Sequence, residues 1–273
     1  MDRHGFTFSK AMGQNFITNP GICPRMAQEG GAAPGVGVIE IGAGIGVLTA
    51  ELASRTQKVV CVELDARLLP ILDETLAAFD NVEIVNQDIL KTDLRQLIDE
   101  RLKGMEVVVC ANLPYYITSP VIMYLLESRL PIRCVTVMVQ REAAKRITAR
   151  PGTRDAGAIS LAIRYYADPQ YLFNVSRGSF IPAPDVDSAV IRLDILDRPP
   201  VSPKDEALFF QVIRGGFSQR RKTLANSLSS YLGLDKAGLP GLLHSCGLSP
   251  SARPEELTLE DFCRLSDALA QER

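Results

Sequence analysis

The 273-residue sequence lacks the features of membrane, disulfide-stabilised and zinc-binding proteins. It has no apolar run long enough to cross a bilayer, and its first residues lack the apolar segment of a secretory signal. The six cysteines are scattered without a CxxC pair, and the two histidines are His4 and His244. We therefore expect reduced thiols, no metal centre, no membrane partner and a cytoplasmic location.

A strong excess of charge of one sign is also missing, because 30 basic and 32 acidic residues give a formal net charge of −2. Such a protein is not expected to bind polyanions over its whole surface, although local basic faces can. One basic stretch covers residues 141–154, and the other is Arg220-Arg221-Lys222. A single basic stretch is usually solvated helix surface, but two in a slightly acidic chain favour an RNA or phosphate surface.

What the chain has in abundance is an alternation of apolar strands and helical segments. Strands are expected at 35–41, 58–63, 82–86, 105–111 and 133–140, with helices between them. This spacing predicts an α/β fold with a doubly wound parallel sheet, which later strands at 158–166 and 189–196 would complete. A proline-rich break at 198–203 is followed by four helical segments, so we expect a small helical C-terminal domain.

A glycine loop, Gly42-Ala43-Gly44-Ile45-Gly46, follows the first predicted strand. The third glycine of a dinucleotide loop is replaced by Val47, which favours a nucleoside ligand without a pyrophosphate. Glu63 ends the second strand and can accept hydrogen bonds from ribose hydroxyls, while Asp88 ends the third and can accept from an adenine amino group. Each acid alone could instead cap a helix. Together the three strand ends indicate an adenosine-containing cofactor, for which S-adenosylmethionine fits best.

Asn112-Leu113-Pro114-Tyr115 follows the fourth predicted strand. The Asn112 oxygen and a backbone carbonyl at Leu113 or Pro114 can hold the two hydrogens of an exocyclic amine, and proline fixes the backbone between them. Tyr115 or Tyr116 can stack on the base. This favours methylation of an amine by positioning, without a strong general base. From the tetrapeptide alone, a proline-containing turn with core tyrosines stays open.

Several segments together resemble those of the bacterial ribosomal RNA adenine N6,N6-dimethyltransferases that act on the small subunit. They are residues 10–16, 40–49, 112–115, 180–190 and 217–228, so the resemblance extends over nearly the whole chain. It implies a Rossmann-like class I methyltransferase sheet with a small all-helical C-terminal domain. Residues 1–197 would bind S-adenosylmethionine, and residues 204–273 would bind RNA.

The resemblance also implies roles for individual residues. The cofactor would be bound by Asn15, Ile17, Gly42, Glu63, Asp88 and Asn112. The catalytic residues would be Asn112, Leu113, Pro114, Tyr115 and Phe180. Of these, Phe180 would stack on the flipped target adenine opposite Tyr115.

The implied RNA-binding residues are Arg141, Arg146, Arg220, Arg221 and Lys222. The family often has a basic residue where this chain has Ala225. In this part of the chain the RNA contacts would therefore come from Arg220, Arg221 and Lys222. The partner would be 16S ribosomal RNA in an immature small subunit, and the protein would be a monomer. The reaction would convert two adjacent adenosines near the 3′ end of that RNA to N6,N6-dimethyladenosine.

Three alternatives stay open. A large-subunit adenine methyltransferase conferring macrolide resistance is disfavoured by Asp187-Ser188-Ala189-Val190 and by the basic helical tail. A binding protein that gates ribosome assembly without catalysis is disfavoured by the intact residues 112–115. An NAD-dependent oxidoreductase is disfavoured by Val47.

Overall fold

The computed structural model describes Phe6, residues 13–219 and residues 221–271. These residues form two compact units. The first contains the described residues up to Ala144 together with Pro169–Ile195, and the second contains Lys145–Asp168 with the described residues from Leu196 onward. Residues 145–168 thus group with the C-terminal helices. The division into domains of residues 1–197 and 204–273 stays a prediction.

The first unit is built on a mixed sheet of seven described strands. The described strands of the chain are β1 (Phe16–Ile17), β2 (Val36–Ile41), β3 (Lys58–Glu63), β4 (Val82–Asn86), β5 (Glu106–Asn112), β6 (Cys134–Gln140), β7 (Ala167–Val175), β8 (Phe180–Ile181) and β9 (Ser188–Ile195). The order in the large sheet is β4-β3-β2-β5-β6-β9-β7, and β1 pairs separately with β8. The first five strands in this order, from β4 through β3, β2 and β5 to β6, are parallel to one another. Strand β9 is antiparallel to β6.

The central strands are buried along their length because both faces of the sheet are covered. All six residues of β2 are buried, as are the first six of β6. Near-continuous burial of this kind is typical of parallel strands with helices on both faces. Parallel strands also place all their C-terminal ends at one edge of the sheet, which is where loops can converge on a ligand.

The described helices are α1 (Ile22–Glu29), α2 (Val47–Ala53), α3 (Leu69–Thr75), α4 (Leu94–Arg101), α5 (Thr118–Glu127), α6 (Arg141–Thr148), α7 (Ala158–Tyr166), α8 (Glu206–Gly216), α9 (Leu224–Leu232), α10 (Leu239–Ser245) and α11 (Leu259–Gln271). Side-chain caps begin several of them: Asp93 accepts from the Gln96 amide at α4, and Asp205 accepts from the Leu208 amide at α8. Among the described residues, no helix is long and apolar enough to cross a membrane.

One predicted strand is wrong. Residues 158–166 form helix α7, and the last strands of the sheet are β7 and β9. Ser160, Leu161, Ile163, Tyr165 and Tyr166 are all buried, so the segment shows neither a clear period of two nor an exposed face. A short apolar run of that kind does not distinguish a strand from a buried helix. The antiparallel β9 also makes the sheet mixed, where the sequence predicts a parallel one.

Aromatic packing and helix contacts stabilise the second unit. The Tyr165 ring centroid lies 5.4 Å from that of Phe209 and 5.1 Å from that of Phe210. The Tyr165 hydroxyl donates a 2.9 Å hydrogen bond to the Glu206 carboxylate, so the polar end of this buried ring has a partner. Phe209 and Phe262 are fully buried, which identifies α8 and α11 as central elements of this helical core.

Candidate active site

A cavity of about 270 Å³ lies at the C-terminal edge of the parallel strands in the first unit. Its wall is formed by the residues that follow β2, β3, β4 and β5, together with residues 13–17. Asn15, Ile17, Gly42, Glu63, Asp88, Asn112, Leu113, Pro114 and Tyr115 all line it. Residues that are up to 100 positions apart in the sequence therefore meet at one small-molecule-sized site, as open α/β sheets predict.

The glycine loop takes a backbone conformation that other residues rarely adopt. Gly42, Gly44 and Gly46 have φ angles of +76°, +59° and +86°. A Cβ atom on Gly44 would also approach the Phe16 ring to 3.1 Å. The Gly42 amide donates a 2.9 Å hydrogen bond to the Val62 carbonyl, which fixes the turn against β3. Glycine is thus needed here both for the left-handed backbone and for the close approach of residues 13–17.

Glu63 holds this loop and lines the cavity at the same time. Its carboxylate accepts hydrogen bonds from the Gly44 amide at 3.0 Å and from the Asp65 amide at 2.9 Å. Burial raises the pKa of Glu63, and the two backbone donors oppose that rise. Each carboxylate oxygen retains a second lone pair, so acceptance from a ribose hydroxyl is compatible with these bonds. The ribose contact stays a prediction.

Asp88 combines a capping role with a position in the cavity wall. Its side-chain oxygen accepts a 3.0 Å hydrogen bond from the Leu90 amide, which begins the 3₁₀ turn Ile89–Lys91. Asp88 therefore does cap a helical turn, which is the alternative that the sequence left open. It uses one oxygen, and the partly buried carboxylate still lines the cavity as a possible acceptor. Its contact with adenine stays a prediction.

Asn112 ends β5 and is tied to the N-terminal segment. Its side-chain nitrogen donates a 3.2 Å hydrogen bond to the Asn15 carbonyl, and the Asn15 side chain donates to the Gly13 carbonyl. This bond fixes the amide and leaves the Asn112 oxygen as the acceptor available to a ligand. The Pro114 carbonyl accepts bonds from Ile117 and Thr118, so the Leu113 carbonyl is the better second acceptor for a target amine.

The two tyrosines after Pro114 differ in their surroundings. The Tyr115 hydroxyl shares a 2.7 Å hydrogen bond with the Ser188 hydroxyl, and burial raises the pKa of Tyr115. Its ring is therefore held in place and its hydroxyl stays protonated at neutral pH. Tyr116 also lines the cavity but is 60% exposed. The anchored Tyr115 is the better placed of the two for ordered stacking on a base.

Phe180 lies behind the cavity wall. Its side chain is 3% exposed and packs in the core of the first unit. Strand β8 places it opposite Ile17 of β1, and Ile17 does line the cavity. Stacking on a flipped base would require the Phe180 ring to move out of this position, and its role stays a prediction.

The basic residues are distributed over both units. Arg141 in the first unit is exposed and forms a 3.0 Å ion pair with Asp187, so its charge is partly neutralised. Arg146, Arg221 and Lys222 in the second unit are exposed. Arg220 and residues 10–12 of the N-terminal motif lie outside the described residues. RNA contact by these residues stays a prediction.

Glu40 is a residue of the site that the sequence did not predict. This acid lies within the apolar run of β2, is 1% exposed and forms part of the cavity wall. The Cys61 thiol donates a 3.2 Å hydrogen bond to its carboxylate. Burial raises the pKa of Glu40 to about 7, although the bonds from Thr49 and Cys61 oppose that rise. The sequence did contain a signal for Glu40, since it is the one ionisable residue in the predicted strand at 35–41. An acid that is buried in a strand often has a function.

Gln14 and Asp65 were also missed. The Gln14 side-chain nitrogen donates a 2.7 Å hydrogen bond to the Asp65 carboxylate, which Arg67 contacts at 2.6 Å. The hydrogen bonds from the Arg67 side chain lower the pKa of Asp65, so this carboxylate stays ionised at neutral pH. The contact holds residues 13–17 over the cavity, and it depends on a long-range pairing that no local pattern reveals.

Comparison with known proteins identifies similar chains over nearly the full length. A family model described as ribosomal RNA adenine dimethylase matches residues 5–271. A Geobacillus protein named ribosomal RNA small subunit methyltransferase A is 47% identical over 98% of this chain and 94% of its own length. A Bacillus cytotoxicus protein of the same name is 46% identical with the same coverage.

Two solved structures share the fold. A dimethyladenosine transferase from Plasmodium falciparum has a TM-score of 0.73 and 24% identity, covering 92% of this chain and 95% of its own. The 23S rRNA methyltransferase ErmE has a TM-score of 0.71 and 26% identity, covering 94% of this chain and all of its own. These likenesses confirm the predicted fold class, a class I methyltransferase sheet followed by helices.

Proposed function

Because this chain belongs to the ribosomal RNA adenine dimethylase family, we propose that it dimethylates N6 of two adjacent adenosines near the 3′ end of 16S ribosomal RNA. Its activity class is that of an rRNA adenine dimethyltransferase of the small subunit, and its cofactor is S-adenosylmethionine, as the sequence predicts. The identity of the two adenosines and the use of an immature small subunit as substrate are our proposal for this chain.

The single observation that carries the proposal is the placement of Asn112 in the wall of the strand-edge cavity, together with the glycine loop, Glu63 and Asp88. An amide oxygen beside a nucleoside-sized site is suited to receiving an amino group next to a methyl donor. The anchored Tyr115 ring adds a flat surface at the same place. The geometry therefore supports transfer to the amine of a planar base.

The residues of the cavity match the chemistry of the cofactor. Glu63 and Asp88 offer carboxylate acceptors for the hydroxyls and amino group of an adenosine, and the Gly42 region offers close backbone approach. Asn15 and Ile17 would close over the ligand from the N-terminal segment. When it is ionised, the buried Glu40 supplies a negative charge that suits a cationic ligand. When bound, S-adenosylmethionine supplies an electrophilic methyl group on a sulfonium.

The protein would act on the amine by orientation. The Asn112 oxygen and the Leu113 carbonyl accept the two N6 hydrogens, which draws the nitrogen lone pair out of conjugation with the ring. Held in this way by Asn112 and Leu113, the lone pair would be directed at the methyl group that a bound S-adenosylmethionine would supply. The methylated nitrogen is then acidic and releases its proton to solvent, so a second transfer can follow. Tyr115 would hold the base by stacking, at about 1–3 kcal/mol.

The proposal includes a setting for the reaction. The substrate would be small-subunit RNA in a partly assembled particle, where both adenosines are accessible, and the protein would act as a monomer in the cytoplasm. A target adenine must leave its stacked position to reach the cavity, which is how enzymes that modify bases commonly gain access.

The proposal can be tested by mapping the modified base. The protein is incubated with labelled S-adenosylmethionine and either undermethylated small subunits or large-subunit RNA, and the methylated nucleotides are identified. We expect label on two adjacent adenosines of the small-subunit RNA. Label on large-subunit RNA would instead favour the activity named for ErmE, whose structure shares this fold. Label on neither RNA would contradict the proposal.

Arg221→Ala should weaken binding of small-subunit RNA and lower its salt dependence. Arg221 is exposed in the second unit, and loss of one phosphate contact makes the negative slope of log K against log salt shallower by about 1. Binding is measured by titration at several salt concentrations. Arg253→Ala is the matched control, because it removes an exposed arginine of the same unit that pairs with Glu255. An unchanged slope in Arg221→Ala would remove this residue from the RNA surface.

A further inference from the structure

A second cavity of about 330 Å³ lies in the first unit, beside the small sheet formed by β1 and β8. It is lined by residues at the start of α1, at the end of β7 and in the turn before β8. The polar residues of this lining are Asn19, Arg25, Asn174, Ser176 and Ser179. None of these five side chains lines the cofactor cavity.

Arg25 is a positively charged group held in a defined orientation. Its guanidinium carbon lies 3.9 Å from the centroid of the Phe173 ring, which is 9% exposed. The carboxylate of Glu29 is 3.8 Å from the Arg25 Nε atom, at the far limit of an ion pair. Within the described residues, the two terminal nitrogens of Arg25 have no hydrogen-bond partner. The stack thus orients a guanidinium whose strongest donors remain open.

The neighbouring polar side chains also offer donors. The Asn174 oxygen accepts a hydrogen bond from the Tyr171 hydroxyl, which leaves the Asn174 nitrogen to donate. The Ser176 oxygen accepts from the Gly178 amide at 3.3 Å, which leaves the Ser176 hydroxyl hydrogen to donate. A guanidinium, an amide NH₂ and a hydroxyl around one cavity form a set suited to an anion with several acceptor oxygens.

Asn19 and Ser179 have a different role. The Asn19 oxygen accepts from the Gly21 amide at 3.0 Å, and its nitrogen lies 3.5 Å from the Ser179 hydroxyl. The Thr18 amide donates to the Ser179 carbonyl at 2.9 Å. These bonds connect the chain after β1 to the chain before β8 and so form a fixed floor for the cavity.

The second cavity is close to the active site along the chain. Ile17 lines the cofactor cavity, and Asn19, two residues later, lines the second one. Two residues of extended chain span about 7 Å. The walls of the two cavities therefore adjoin at residues 17–19, so both cavities are within reach of one RNA strand.

From these contacts we propose that Arg25, Asn174 and Ser176 bind a backbone phosphate of the RNA close to the target adenosine. The inference rests on the proposed function for its RNA ligand. Arg25 supplies the charge, and Phe173 fixes the plane of the guanidinium. The subsite positions the strand and reads no sequence, as phosphate contacts generally do.

Arg25→Ala should weaken binding of a small-subunit RNA fragment about tenfold. It should also make the negative slope of log K against log salt shallower by about 0.7–0.9. Binding of S-adenosylmethionine should not change, which reports that the first unit is folded. Arg25→Lys should retain the slope, because lysine still neutralises a phosphate as a point charge. Arg55→Ala is the matched control, since Arg55 is an exposed arginine with its own i,i+4 glutamate, Glu51.

The outcomes separate this subsite from the proposed function. An unchanged slope in Arg25→Ala, or an equal loss in Arg55→Ala, overturns the subsite whether or not the wild type methylates RNA. A wild type that binds but does not methylate small-subunit RNA overturns the function, and the slopes still decide the subsite. Calorimetry with inorganic phosphate provides a further arm. Arg25-dependent phosphate binding with an unchanged RNA slope would overturn the assignment to RNA.

Discussion

Asn112→Ala should lower the methylation rate of small-subunit RNA by about 10²–10³-fold or more, while cofactor binding weakens about fivefold at most. The rate falls because the amide oxygen that orients the target amine is lost, and one preorganised hydrogen bond at a reacting centre is commonly worth that much. The smaller effect on the cofactor follows from losing the 3.2 Å bond to the Asn15 carbonyl, a net contribution of about 1 kcal/mol. Single-turnover methylation and equilibrium dialysis measure the two quantities.

The control for Asn112→Ala is Gln96→Ala, which removes a carboxamide from an exposed position on α4. It should leave both the rate and the cofactor affinity at the wild-type values. A near wild-type rate in Asn112→Ala would show that the amide oxygen is not required. A loss of cofactor binding as large as the loss of rate would assign Asn112 to the cofactor pocket alone.

The strand-edge residues were predictable because parallel strands impose a simple geometry. Glu63, Asp88 and Asn112 each follow an apolar run, so their convergence needs no knowledge of the tertiary structure beyond the sheet. The glycine loop was predictable for the same reason, since its spacing reports a sharp turn from strand to helix. The cofactor and the family followed from these local signals combined with the motifs.

Other features depend on contacts that no local pattern encodes. Helix α7 was predicted as a strand, because an apolar run buried on most sides has no diagnostic period. The depth of Phe180 depends on the pairing of β8 with β1, across more than 160 residues. The Gln14–Asp65 bond and the Arg25–Phe173 stack likewise join segments distant in sequence. Their chemistry becomes visible only after the chain is folded.

Glu40 is a case in which stability and function are opposed. Its side chain is 1% exposed, and burial raises its pKa from an ordinary value of 4.5 to about 7. A carboxyl with a raised pKa in the folded state binds a proton that the unfolded chain releases. Its contribution to the free energy of unfolding is therefore fully present below pH 4.5 and is lost as the pH rises to 7. The loss amounts to about 3 kcal/mol.

Glu40→Gln should consequently remove this pH dependence. Glutamine can still accept the hydrogen bond from the Cys61 thiol, whose pKa is raised well above its ordinary value by burial, so that the thiol stays protonated. Chemical denaturation of both proteins between pH 5 and pH 8 gives the difference in free energy of unfolding. We expect that difference to shift in favour of the variant by about 2.5 kcal/mol over this range, because pH 5 already lies above the unfolded pKa of 4.5.

The same substitution should weaken cofactor binding, because S-adenosylmethionine carries a positive charge that an ionised Glu40 attracts. A cation favours the ionised carboxyl. As the pH increases towards 7, the affinity of the wild type relative to the variant should therefore increase by up to about tenfold per pH unit, and above pH 7 it should level off. Glu100→Gln, which removes an exposed carboxylate from α4, should follow the wild type in both experiments. Parallel affinity profiles for the wild type and Glu40→Gln would show that the buried charge does not act on the cofactor. If stability alone responded, Glu40 would be a structural acid in the cavity wall.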